Sequence, residues 1–138
     1  MRPLQAYRQQ QNTFLPRIDL ILALYRTGLD LIRRARTAFD EKRETDAKSL
    51  LAQAQMIVTS LASGYTGATD EAGLNFLRLY EFVAYCLSDP STKHLDSAER
   101  VLRTLSEGFV AAREEALELE ATGQIPPLSK ERQVEVSV

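Results

Sequence analysis

The chain has 138 residues, 44% hydrophobic and 26% charged, with a formal net charge of -2. That length suits one domain that buries about two thirds of its unfolded surface, and the acidic balance argues against nucleic acid, whose binders concentrate cations on one face. The single cysteine, Cys86, forms no internal bridge and fits a reducing cytoplasm, while no apolar run approaches the ~20 residues needed for membrane insertion and Met1–Asn12 lacks the apolar core of a signal peptide.

Residues 1–15 are polar, with Gln9, Gln10 and Gln11 in a row, and read as a mobile N-terminal arm whose docking groups are Leu4, Ala6 and Tyr7. Pro16 suits a first helical turn, because its missing amide hydrogen would be unpaired there anyway. From it, Ile18, Leu22, Tyr25, Leu29, Ile32, Arg36 and Phe39 step by threes and fours, predicting a helix to about Lys42. Leu20, Leu24, Leu31, Ala35 and Ala38 flank that stripe, so the apolar arc is wider than one neighbouring helix needs. The cations that follow, Arg33, Arg34, Arg36, Lys42 and Arg43, suit a helix C-terminus.

A charged connection from Asp40 to Asp46 leads to a second helix through Ala47, Leu50, Ala54, Ile57 and Leu61, with Gly64 as terminator. The third, from about Asp70 to Ser88, is apolar nearly all round, which predicts that nearly all of its circumference is covered. Asp89 and Pro90 form a stop that doubles as cap and first turn of the next helix. There Leu95, Ala98, Leu102, Leu105, Phe109, Ala112, Ala116 and Leu119 make one unbroken seam, predicting a single helix about 40 Å long. Its acidic end, Glu114 to Glu120, is expected beside the start of the first helix, where Arg17 and Arg8 offset it. The expected fold is all-α: an antiparallel up-down-up-down four-helix bundle over residues 16–122, with the arm before it and a flexible tail over 123–138.

The chemistries common in bundles lack their residues. A di-iron site needs two histidines, each three residues after a glutamate; the one histidine, His94, follows Ser91. His94 also lacks the setting of a phosphotransfer histidine, and Gly64 and Gly67 lack the lysine-serine sequel of a phosphate loop. Nothing pairs Cys86 with a base. No catalytic, cofactor or metal residue is expected, which leaves binding.

Ala6-Tyr7-Arg8-Gln9-Gln10 in the arm is followed by Leu20-Ile21-Leu22-Ala23-Leu24-Tyr25 in helix one. Then come Ala54-Gln55 with Ile57-Val58 and Leu61, Asn75-Phe76-Leu77 with Leu79-Tyr80, and Leu95 through Phe109. In that order and spacing, over about residues 4 to 118, the chain resembles the flagellin export chaperone family FliS. It departs at Arg26 and Thr27, where the family usually has an aspartate-glycine pair after the tyrosine. The resemblance implies a small cytoplasmic bundle that binds the C-terminal segment of flagellin, stops premature polymerisation and hands it to the flagellar type III export apparatus. It also implies an arm whose tyrosine covers part of the binding surface.

A disordered amphipathic segment that folds onto a bundle needs exposed apolar stripes. The residues expected to supply them are Leu20, Leu24 and Leu31 on helix one, Met56 on helix two, and Leu77, Tyr80 and Ala84 on helix three, with Tyr7 as the cover. The alternative use of the surplus stripe is a non-catalytic adaptor or a dimerising regulatory bundle.

Overall fold

Capping and backbone geometry set where each helix starts and stops. The computed structural model describes residues 15–125; Tyr7, Arg8 and the rest of the arm before Leu15, and the tail beyond Ile125, lie outside the described residues. Helix α1 (Arg17–Asp40) starts on the Pro16 carbonyl, which accepts from the Asp19 and Leu20 amides at 3.1 and 3.2 Å. A tight turn through Lys42, with φ of 61°, leads to α2 (Glu44–Ser63). Asp70 caps α3 (Glu71–Ser88) by accepting from the Gly73 amide. A Cβ at Gly73 would lie 2.7 Å from that of Ala68, so the cap closes only over glycine.

Two boundaries differ from expectation. The cap of α4 (Thr92–Ala111) is Ser91, whose hydroxyl accepts from the His94 amide at 3.1 Å; Asp89 instead closes α3, donating its amide to the Tyr85 carbonyl. The predicted last helix is two, because Ala112, at φ -92° and ψ 2°, separates α4 from α5 (Arg113–Ala121). Gly108, a weak helix former, stands one turn before the break. Beyond it α5 buries no residue fully and is drawn to the start of α1 by polar bonds.

The helices pack antiparallel in the expected all-α arrangement, α1 against α2, α4 and α5, and α3 against α2 and α4. This resolves the surplus on α1. With three neighbours, it buries the flank residues Leu20, Leu24, Leu31, Ala35 and Ala38 together with Ile18, Tyr25 and Ile32. Gly28 lets α2 come close, since a Cβ there would meet Ile57 Cγ2 at 3.3 Å. Helix α3 has the opposite fate. Lying diagonally from α1 with only two neighbours, it leaves Leu74 37%, Leu79 37%, Phe82 43% and Tyr85 55% exposed, so the predicted full coverage is corrected.

Across that diagonal, the hydroxyls of Tyr25 and Tyr80 hydrogen-bond at 2.6 Å. The basic cluster is used inside the chain: Arg36 clamps Asp96 and Glu99 of α4 at 2.8 and 3.0 Å, and Arg43 pairs with Glu41 and Asp46.

Leu102 is fully buried, so Leu102→Ala is expected to cost about 2–5 kcal/mol in urea unfolding. Tyr80→Phe strands a buried hydroxyl and is expected to cost about 1–3 kcal/mol. Adding Tyr25→Phe should then cost little more, since it removes the stranded group; a double-mutant cycle measures the difference.

Candidate functional site

The two ends of the bundle are built differently. Where α1 ends and α2 and α4 begin, Ala35, Ala38, Ala47 and Ala98 are fully buried. Small side chains let helices approach closely, and Arg36 ties α1 to α4 there. At the other end a cavity of about 670 Å³ opens.

Its walls are Ile18, Leu20, Ile21 and Leu24 of α1, Leu61 of α2, Tyr65 of the following turn, and Phe109, Ala112 and Ala116 on the α4–α5 side. Tyr80 lines it from α3. Ala112 and Ala116 are too small to fill the space that the α5 break leaves against α1. An aromatic cluster supports the walls: Tyr65 stacks on Phe76 with centroids 4.8 Å apart, Phe76 meets Phe109 at 5.9 Å, and Phe109 meets Tyr25 at 5.6 Å. Such pairs contribute about 0.5–1.5 kcal/mol beyond their buried area and hold fixed geometry.

The rim is polar. The Arg17 amide donates to the Glu120 carboxylate at 2.9 Å, and Arg113 donates twice to Asp19 at 2.7 and 3.0 Å. The bond from Arg113 holds the Asp19 carboxyl below the usual carboxylate range. Behind the wall, burial pushes the Tyr25 phenol up from 10.0 to about 12, partly offset by the hydrogen bond shared with Tyr80. Burial also raises Tyr80, and the bond to Tyr25 raises it further.

Of the predicted site residues, Leu20, Leu24 and Tyr80 come together on the cavity wall, though at 7%, 6% and 2% exposure they are not an exposed stripe. Leu31 is closed into the core, because its part of α1 lies away from the open end. Leu77 and Ala84 are half-buried, and the Ala84 carbonyl accepts from Gln55 Nε2–H of α2 at 2.7 Å. Met56, 63% exposed, stands on α2 one turn before the cavity residue Ser60. Tyr7 lies outside the described residues. Residue spacing missed Tyr65, Ala116 and Glu120. The available signals were an aromatic beside Gly64 and alanines in the last seam, opposite the widest apolar arc.

No described wall residue pairs a nucleophile with a base. Cys86 is buried, which pushes its thiol up and keeps it unreactive. His94 is engaged, its Nδ1 on the Asp89 carbonyl and its ring edge-on to Tyr85 at 5.3 Å. Among the described residues no group of three or more His, Cys, Asp or Glu could hold a metal, and no helix is long and apolar enough to cross a membrane.

The described residues thus form a helical bundle that keeps an open, apolar, aromatic-walled cavity at one end, a shape suited to binding. Over residues 1–116 the chain matches the family model described as Flagellar protein FliS, and it belongs to that family, a non-catalytic chaperone family. Comparison with curated proteins and with solved structures gives no match.

Ala116→Phe is expected to fill part of the cavity, leaving the melting temperature within a few degrees, on the order of 1 kcal/mol. It should lower the fluorescence of a cavity-bound apolar dye at least twofold; unchanged fluorescence would place the dye elsewhere. Stability should also fall as pH rises above 10.0 towards about 12. The unfolded phenol loses its proton first, so the stabilisation is complete below the unfolded value and is lost through the folded one. Thermal melts at stepped pH measure this.

Proposed function

We propose that the chain is an export chaperone for flagellin, acting in the cytoplasm. The C-terminal segment of flagellin lays its apolar side chains into the open end of the bundle. Held there, it is kept from premature polymerisation until the flagellar type III export apparatus receives it. The observation that carries this reading is the cavity of about 670 Å³ between α1, α2 and the α4–α5 break, lined by Leu20, Leu24 and Tyr80. Family membership supplies the partner.

The volume is within the range of about 300–1,000 Å³ common for ligand pockets. It suits the side chains of an amphipathic segment, with the backbone of that segment lying over the rim. Coupled folding of this kind buries about 1,000–3,000 Å², more than one cavity offers, so contacts continue outwards. Met56, Leu77 and Ala84 are the residues proposed for that continuation, with residues 16–122 as the binding bundle. Tyr7, in the arm of residues 1–15, covers the cavity before flagellin arrives. A cover of this type lowers apparent affinity by the fraction of chains it closes.

In calorimetry, a peptide from the flagellin C-terminus is expected to bind at about micromolar affinity or tighter, with a negative heat-capacity change. No heat in the tens of micromolar range would remove this reading. Ala116→Phe should weaken the same binding about tenfold or more by occupying the wall. Tyr7→Ala should tighten it; equal or weaker binding would reject the covering arm.

A further inference from the structure

The turn after α5 delivers the chain onto the cavity. Gly123, at φ 79°, donates its amide to the Glu120 carbonyl at 3.1 Å, and Gln124 donates to the Leu119 carbonyl at 2.9 Å. That pair of bonds reverses the chain through a left-handed backbone, which glycine adopts without strain. The Ile125 amide also donates to Leu119, at 3.2 Å. Half-buried Ile125 therefore stands on the cavity wall, together with Ile21, Leu24 and Leu61 of α1 and α2. The turn lies beyond residues 1–116, the part of the chain that matches the family model.

The sequence continues Pro126-Pro127-Leu128. Ile125 and Pro126 each precede a proline, which disfavours helix and favours an extended chain. In polyproline geometry three residues make one turn of about 9 Å, so residue 128 returns to the side of the chain that carries residue 125. We propose that residues 126–128 of this same chain close over the cavity and seat Leu128 in it beside Ile125. Charge favours the same path, because Lys130 and Arg132 follow at once and α5 presents Glu114, Glu115, Glu118 and Glu120.

One leucine does not fill about 670 Å³, which leaves room for the cover proposed for Tyr7. The docking stands without the flagellin reading, and its test needs no flagellin. Its consequence, competition between Leu128 and the flagellin segment, rests on that reading.

Methyl NMR of the full chain and its variants reads the docking directly. Leu128→Asp is expected to shift the methyls of Leu20, Ile21, Leu24 and Leu61, while those of Leu51 and Leu95 in the closed-end core stay in place. The same variant should bind an apolar cavity dye at least about threefold tighter, since a cover lowers apparent affinity by the fraction of chains it closes. Leu128→Met keeps an apolar side chain of similar size and should keep the wild-type dye affinity. Val134→Asp, further along the chain, should change neither readout. Cavity methyls and dye affinity that are unmoved in Leu128→Asp overturn the proposal. An equal response to Val134→Asp overturns it too, by making the effect one of added charge. Shifts between wild type and Leu128→Asp that appear only as protein concentration rises would place the segment of another copy in the cavity, and so reject it.

Discussion

The hydrogen bond between Tyr25 and Tyr80 is the constraint around which the open end is built. It joins diagonally opposed helices, which share few other contacts, at 2.6 Å. Each phenol is buried, and a buried hydroxyl without a partner costs about 1–3 kcal/mol. By bonding each other, the two hydroxyls remove both penalties and set the separation of α1 and α3. Their rings then serve different purposes: Tyr25 packs against Phe109 in the aromatic cluster, and Tyr80 forms part of the cavity wall. One bond thus links the core to the cavity wall.

Tight packing at one end permits openness at the other. Buried alanines and the Arg36 clamp close the end where α1 finishes. At the opposite end the break at Ala112 and the short side chains of α5 leave apolar walls without contacts. Unfilled apolar space forfeits dispersion energy, so a chain selected for stability alone would tend to fill it. Keeping it is the kind of concession a binding protein makes, stability given up where a partner supplies the missing contacts.

Periodicity made the four long helical runs and their antiparallel order legible, along with the terminating role of Gly64 and the meeting of the acidic last helix with the start of α1. It could not say how many neighbours each helix has. Leu24 and Leu31 lie on the same stripe of α1, yet one lines the cavity and the other sits in the core, because only the first is near the open end. Helix α3 is apolar nearly all round, which reads as full burial, but its diagonal position leaves Phe82 and Tyr85 uncovered. Tyr65 is separated from Phe76 by a glycine-containing turn, and only the folded chain stacks them. The break at Ala112 was hidden because Ala112 and Ala116 continue the seam spacing while being too small to complete its packing.

The most direct test of the cavity as the binding site is a methyl NMR titration of the full chain with the C-terminal segment of flagellin. The methyls of Leu20, Ile21, Leu24 and Leu61, which line the cavity, should shift, while those of Leu51 and Leu95, in the core at the closed end, stay in place. Shifts confined to Leu51 and Leu95, or to Leu74 and Leu79 on the outer face of α3, with the cavity methyls unmoved, would contradict it.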